Sequence, residues 1–201
     1  MRQYREFRPD ADFDQVHRPE DEHGPANKVT FVDAMRYCRW LSEREGVPLD
    51  QMCYPPVDEI VVGDATLPEE RRMRTGYRLP TEDEWELAAR AGSTTRWFFG
   101  DGEEHLRHFA WCAINSGDRL HRVGMLRPNP SGLFDILGNT SEWCHPSAAT
   151  ALKLEKGKYV LRGGAYHYHP RGLESSAFYH QSKAGYSYNG FRLARTIATG
   201  R

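Results

Sequence analysis

The C-terminal segment of the chain, Val160–Arg195, reads VLRGGAYHYHPRGLESSAFYHQSKAGYSYNGFRLAR. It opens with an Arg-Gly-Gly turn at residues 162–164 and closes with Gly-Phe-Arg-Leu at 190–193. The middle is polar and aromatic, and it contains five of the ten tyrosines and three of the nine histidines. Apolar, glycine-containing ends around such a middle favour a rigid frame that displays a recognition surface.

The overall composition favours a single folded domain and excludes some classes of partner. With 201 residues, of which 39% are hydrophobic, the chain can bury a core without disulfide bonds. A formal net charge of -1 lacks the basic excess of proteins that bind nucleic acid or anionic membranes, so neither is an expected partner. No stretch approaches the roughly 20 apolar residues that cross a bilayer.

The cysteines and the N-terminus favour a reducing, cytoplasmic location. The four cysteines form no CxxC pattern, so neither a zinc site nor a disulfide framework is indicated. The first residues, MRQYREFRPDAD, lack the apolar core of a secretion signal.

Capping signals predict two main helices. The first begins after Thr30, with Asp33 in the matching capping position, and ends at Gly46. The second begins after Thr81, whose capping-box partner is Glu84. The first helix carries an apolar stripe at intervals of three residues: Val32, Met35, Cys38 and Leu41. We therefore interpret Cys38 as a core residue rather than a reactive thiol.

Five segments, taken in order, resemble the sulfatase-modifying-factor family, also called the formylglycine-generating-enzyme family. They are VTFVDAMRYCRWLSE, YRLPTEDEWELAARAG, NPSGLFDILGNTSEWC, LRGGAYH and NGFRLAR. The resemblance implies an α+β, C-type-lectin-like fold with two main helices, short antiparallel strands and much irregular loop. Residues 1–201 would form one such domain.

The resemblance begins abruptly at the N-terminus. Family members usually open with a strand and turn before a segment like Gln3–Phe7, and here the first strands are expected to be missing. An open sheet edge invites association, so we expect a partner to cover it.

The family's oxidase chemistry is not expected here. It uses two copper-binding cysteines after the Gly-Gly turn, and the matching positions hold Tyr168 and Leu173. Neither side chain can act as a thiolate, so we predict a non-enzyme that binds no copper.

The Asp135–Glu142 segment is a candidate calcium site. Two carboxylates and inward-facing carbonyl oxygens are the hard ligands that Ca²⁺ prefers. The resemblance implies a side-chain oxygen from Asp135, carbonyl oxygens from Gly138 and Thr140, and the Glu142 carboxylate. Alternatively, the two carboxylates cap the turn and pair with a nearby arginine, such as Arg162 or Arg192.

Histidines in the C-terminal segment offer a second metal hypothesis. His167 and His169 alternate, so on a strand both would face the same side and could bind zinc or copper with His180. The alternative is that all three are surface histidines among tyrosines.

The remaining residues of the middle are predicted to bind a ligand. Tyr, Ser, Gly and Asn supply rigid contact area and adaptable hydrogen bonds, as they do in antibody paratopes. The candidate ligand-binding residues are Tyr168, His169, Tyr179, His180, Tyr186, Tyr188 and Asn189. The alternative is an ordinary polar surface with aromatic packing.

Three functional hypotheses follow. Many middle residues are of types that can be reached by altering adenines in an Asn codon, and this composition resembles the variable proteins of diversity-generating retroelements, which display diversified ligand-binding residues. We therefore favour a non-catalytic module that binds a protein or other ligand at its C-terminal surface. The alternatives are a divergent metal-dependent oxidoreductase and an accessory or regulatory assembly domain.

Overall fold

The computed structural model describes residues 1–14, 16–17, 19, 22–61, 67–182 and 185–197. The α-helices are α1 (Arg2–Phe7), α2 (Phe31–Arg44), α3 (Glu69–Arg72), α4 (Glu82–Arg90) and α5 (Ala148–Ala151). Short 3-10 helices lie at Leu49–Gln51, Val57–Glu59, Glu103–His108 and Pro170–Leu173. The strands are β1 (Tyr77–Arg78), β2 (Ser141–Cys144), β3 (Lys158–Arg162), β4 (Phe178–Ser182), β5 (Asn189–Gly190) and β6 (Ala194–Arg195). The predicted α+β class is confirmed. Among the helices of the described residues, none is long and apolar enough to cross a membrane.

Both predicted helices begin where their capping residues stand. The Thr30 side chain accepts a hydrogen bond from the Asp33 N–H at 3.0 Å, at the start of α2. At the start of α4, the Thr81 hydroxyl accepts from the Glu84 N–H at 3.2 Å, and the Glu84 carboxylate accepts from the Thr81 N–H at 2.9 Å. This reciprocal pair is a capping box, and it satisfies N–H groups that the helix itself leaves open.

The main sheet has the strand order β4-β3-β2-β5. β2–β3 and β3–β4 are antiparallel, but β5 runs parallel to β2. The expectation of antiparallel strands is therefore wrong for this pair, because the chain leaves β4 at one edge and enters β5 at the other in the direction of β2. The Val29 N–H donates to the Asn189 carbonyl at 3.2 Å beside β5. Coverage of a sheet edge by a partner stays a prediction.

The core consists of two clusters on either side of this sheet. Phe31, Trp143 and Tyr159 pack in the first, and Phe31 stacks on Tyr159 with ring centroids 4.4 Å apart. Trp85 and Leu173 pack in the second. The sheet therefore has apolar packing on both faces, which holds its strand ends in place.

Cys38 lies in the first cluster and is fully buried, as predicted. Burial raises the pKa of its thiol well above the ordinary value, so the group stays protonated and unreactive. The other cysteines, Cys53, Cys112 and Cys144, are also buried and form no disulfide.

The Arg-Gly-Gly turn joins the sheet to the candidate surface. Gly164 has a φ of 70°, and a Cβ there would lie 2.8 Å from the Gly172 carbonyl oxygen. The Gly163 carbonyl accepts a hydrogen bond from the Gly138 N–H at 2.8 Å. Glycine is thus required where this turn packs against the 3-10 helix Pro170–Leu173.

Candidate ligand-binding surface

Aromatic rings of the C-terminal segment, together with His17, form a continuous series of ring contacts, which we call the aromatic band; Tyr166 is buried, and the other rings are half-buried or exposed. Its members are His17, Tyr166, His167, Tyr168, Tyr179, Tyr186 and Tyr188. His17 stacks on Tyr166 at a centroid distance of 5.8 Å, and Tyr166 contacts His167 edge-on at 4.9 Å. His167 meets Tyr188 at 4.6 Å, and Tyr188 stacks on Tyr186 at 5.5 Å. These spacings lie within the range of favourable aromatic pairs.

A branch of the band leads from Tyr188 to Tyr168 and Tyr179. Tyr168 lies 6.1 Å from Tyr188 and 4.9 Å from Tyr179, measured between ring centroids. The Tyr179 hydroxyl donates to the Gly172 carbonyl at 3.2 Å. Burial, together with the neighbouring phenols of Tyr188 and Tyr179, raises the pKa of Tyr168 to about 12. This phenol is therefore neutral near pH 7 and can donate a hydrogen bond to a ligand.

Main-chain hydrogen bonds hold the turn that carries Tyr186 and Tyr188. The Lys28 N–H donates to the Tyr186 carbonyl at 3.2 Å. The Ser141 N–H and the Thr140 hydroxyl both donate to the Tyr188 carbonyl at 2.8 Å. Because the backbone is fixed from two sides, the rings are pre-organised for binding, which lowers the entropy that a ligand must remove.

Asn189 does not belong to this surface. Its side chain is fully buried, and its amide donates to the Gln181 side chain at 2.6 Å. Gln181 in turn donates to the Tyr188 hydroxyl at 3.0 Å. The prediction that Asn189 contacts a ligand is therefore wrong, because the residue lies in β5 beside β2. It supports Tyr188 from below instead.

The two predicted histidine contacts also lie apart from the band. On β4, side chains alternate between faces, so His180 points away from Tyr179 and contacts Phe178 at 5.3 Å. His169 is exposed and stands at the N-cap position of the 3-10 helix Pro170–Leu173, where its side chain makes no capping hydrogen bond. The seven candidate residues therefore do not form a single surface: Tyr168, Tyr179, Tyr186 and Tyr188 come together, and His169 and His180 flank them.

The histidine-metal hypothesis rested on a strand that does not form. Residues 166–168 lie in turns, so the alternation of His167 and His169 does not place them on one face. Burial among aromatic rings lowers the pKa of His167, which keeps this imidazole neutral near pH 7. In the part of the chain that the structure describes, no three His, Cys, Asp or Glu side chains are grouped as a metal site would require.

The positions that match the family's two cysteines are occupied as the sequence indicates. Tyr168 belongs to the aromatic band, and Leu173 is fully buried in the second core cluster. Cys112 and Cys144 are fully buried too, and burial raises the pKa of both thiols. No thiol of this chain therefore reaches the surface where the family's cysteines would stand.

The predicted calcium ligands gather in part. Asp135, Thr140 and Glu142 line one cleft of about 360 Å³. The Glu142 carboxylate is already used there: Arg192 donates to its two oxygens at 2.5 and 2.6 Å, and the Trp85 indole donates at 2.6 Å. Arg192 thus neutralises one of the two carboxylates, which was the alternative interpretation of this segment.

The Asp135 carboxylate forms no ion pair with any residue that the structure describes. One carboxylate oxygen accepts the Gly124 N–H at 2.6 Å, and burial raises the pKa of the group. With one compensated and one uncompensated carboxylate, the donor set does not fit a high-affinity calcium site, which relies on several negative ligands. Calcium binding at these residues stays a prediction.

Sequence reasoning missed two members of the band, His17 and His167. His167 is predicted only as a metal ligand, whereas Tyr166 belongs to the LRGGAYH segment of the family pattern and is buried. His17 comes from a charged N-terminal segment about 150 positions away from its neighbour Tyr166. A pair so distant in sequence leaves no periodic signal that local patterns could reveal.

Comparison with known proteins supports the assignment of the fold. The profile of the family described as "Sulfatase-modifying factor enzyme 1-like domain" matches residues 4–197. A curated relative, "Chaperone protein LppX" of Paenibacillus barcinonensis, is 28% identical over 171 residues, covering 72% of this chain and 60% of that protein. The mouse protein "Inactive C-alpha-formylglycine-generating enzyme 2" is 35% identical over 101 residues, covering 45% and 32%. The chain thus spans less than two thirds of the length of each relative.

A solved structure has the same fold. "Treponema denticola variable protein 1" superposes with a TM-score of 0.70 at 24% sequence identity, covering 93% of this chain and 76% of that one. The C-type-lectin-like arrangement predicted from the sequence is confirmed by this likeness and by the family match.

Proposed function

Because the chain belongs to the sulfatase-modifying-factor family, which includes a protein named inactive, we propose that it is a non-catalytic module that binds a ligand through the aromatic band. The observation that carries the proposal is the band itself. Half-buried rings stand on a backbone that Lys28, Ser141 and Thr140 hold by hydrogen bonds. Rigid aromatic side chains of this kind supply most of the energy in many binding surfaces.

The positions of the family's cysteines support a binding role over catalysis. Tyr168 supplies a neutral phenol and Leu173 an apolar contact, and neither is a thiolate that could bind copper as the family's cysteines do. The same positions therefore serve display and packing in this chain.

We also propose that the exposed members of this surface are diversified by a retroelement. The residues between the Arg-Gly-Gly turn and the Gly-Phe-Arg-Leu end of the C-terminal segment include Tyr, His, Ser and Phe. The fold is shared with a protein named as variable. Sequencing the surrounding genome tests this directly. A near-identical repeat with adenines at the codons for Tyr168, Tyr186 and Tyr188 supports diversification, and its absence contradicts it.

Alanine substitution tests the binding proposal. Tyr168→Ala and Tyr188→Ala should each weaken capture of ligand by about 30-fold, since truncating a central tyrosine costs about 2 kcal/mol. A panel of proteins and glycans on an array, probed with the folded domain, identifies the ligand, and biolayer interferometry then measures the affinity of each variant.

Phe178→Ala is the matched control, because Phe178 is an aromatic residue that is 50% exposed on the opposite face of β4. It should bind like the wild type. Thermal unfolding monitored by circular dichroism should show that all three variants remain folded. If the tyrosine variants unfold, or bind with unchanged affinity, the rings belong to the frame and the proposal fails.

A further inference from the structure

One end of the aromatic band is acidic. Asp14 and Asp118 flank the His17–Tyr166 pair, and both carboxylates lie close enough to raise the pKa of Tyr166, after the larger effect of burial. Asp118 is tied to Tyr166 through one serine: the Ser116 hydroxyl accepts from the Asp118 N–H at 3.1 Å and donates to the Tyr166 carbonyl at 2.8 Å. The backbone thus fixes Asp118 beside the rings.

The two carboxylates differ in how they are compensated. Asp14 is buried, accepts the Val16 N–H at 2.9 Å, and contacts the His17 ring nitrogen at 2.7 Å. Asp118 is exposed, and its carboxylate makes no hydrogen bond or ion pair with any residue that the structure describes. Its neighbour Arg119 lines a separate cleft, together with Trp111. Asp118 therefore presents an uncompensated charge.

The His167 ring near Asp118 carries no positive charge of its own. Burial lowers the pKa of His167, so its imidazole is neutral near pH 7, and His17 is already engaged by Asp14. His167 contacts both Tyr166 and Tyr188 edge-on; Tyr166 is buried, whereas the rings of His167 and Tyr188 are half-buried. Electron-rich ring faces next to an unpaired carboxylate attract a cation by two additive effects, cation–π attraction and ion pairing.

Five clefts of about 360–460 Å³ are lined by other residues, and no member of the band contributes to them. Small molecules generally bind in concave pockets, whereas macromolecules also bind to surfaces outside them.

We propose that the acidic end of the band binds an arginine or lysine side chain of a protein partner, which pairs with Asp118 and lies against the half-buried rings of His167 and Tyr188. This inference rests on the proposed binding function and specifies the partner's chemistry. The cation would anchor one end of the partner, and the tyrosine branch toward Tyr168 and Tyr179 would contact the rest.

A selection from a random peptide library displayed on yeast tests the inference. The folded wild-type domain is the bait, and the Asp118→Asn and Asp58→Asn variants are used in parallel. Asp118 has a φ of 56°, a conformation that asparagine also tolerates, so the substitution removes charge without straining the backbone. Asp58 is exposed in another part of the surface and serves as the matched control.

Peptides selected on the wild type should be enriched in arginine or lysine, bind Asp58→Asn equally, and bind Asp118→Asn at least about tenfold more weakly, the loss of one ion pair in a partly desolvated site. Replacing the basic residue of a selected peptide with glutamine should cause the same loss. Free spermine should compete only weakly, which separates a polypeptide ligand from a small amine.

The two proposals fail in different ways. If selected peptides depend on Tyr188 but are not basic and ignore Asp118→Asn, the partner's chemistry is wrong and the binding function stands. If no peptide is selected, or if those selected are unaffected by Tyr188→Ala, both proposals are contradicted. Strong competition by spermine would overturn the assignment to a protein partner.

Discussion

Two neighbouring regions of this molecule differ in whether their polar groups are paired within the chain. In the cluster of Trp85, Glu142 and Arg192, the polar side chains are hydrogen-bonded to one another, and Glu142 is almost fully buried. In the aromatic band, by contrast, Tyr186 is 44% exposed and Asp118 is unpaired among the described residues. The difference shows two treatments of polar groups in one fold: the cluster pairs them internally, and the end of the band leaves Asp118 exposed and unpaired among the described residues.

The largest expected loss of unfolding free energy comes from removing the Glu142 carboxylate from this cluster. Glu142→Ala leaves the Arg192 guanidinium without its carboxylate, and removing one partner of a buried pair costs about 3–5 kcal/mol of unfolding free energy. Urea denaturation followed by fluorescence measures this loss. Asp101→Ala is the control, because the Asp101–Arg96 pair is more than half exposed and should contribute less than about 1 kcal/mol. Equal losses in the two variants would show that the cluster is not a special stabilising unit.

A smaller loss of unfolding free energy is expected from a substitution in the turn that joins the cluster to the band. Gly138 has a φ of 74°, and a Cβ at this position would overlap the Trp111 carbonyl oxygen. Gly138→Ala should therefore cost about 2–4 kcal/mol, from the left-handed backbone and the displacement of Trp111.

Gly132→Ala provides the comparison for that turn. Gly132 has a φ of 79°, but a Cβ there would meet no atom within 4 Å, so only the backbone contribution of about 1 kcal/mol applies. Thermal unfolding of both variants separates the two contributions. If Gly132→Ala is as destabilising as Gly138→Ala, the close approach to Trp111 has no energetic role.

Calcium is expected to have the smallest effect on the free energy of unfolding. Arg192 already neutralises Glu142, so a calcium ion in the cleft would be bound mainly by Asp135 and main-chain oxygens. A dissociation constant of about 1 mM would give about 1.4 kcal/mol of stabilisation at about 10 mM calcium. Differential scanning calorimetry should detect this gain in the wild type and its loss in Asp135→Asn. A gain of equal size with magnesium, or no gain at all, would contradict a specific calcium site.

The sequence predicted those parts of the structure that local chemistry determines. The starts of α2 and α4 follow from Thr30 and Thr81, whose side chains bond N–H groups three residues away. The likeness to a known family supplied the order of the remaining segments. Local patterns could not predict contacts between residues from different segments, such as His17 stacking on Tyr166 and the hydrogen bond from Asn189 to Gln181. Only folding brings such residues together, and a surface residue and a buried one can be adjacent in sequence.

Tyr188 and Asn189 illustrate this adjacency and its evolutionary consequence. The bonds that hold the turn are received by the main-chain carbonyls of residues 186 and 188, so they persist whatever side chains stand there. Residue 189, one position further, is held in the interior by the hydrogen bond that its side-chain amide donates to Gln181. A lineage can therefore exchange the rings at 186 and 188 while the loop keeps its shape.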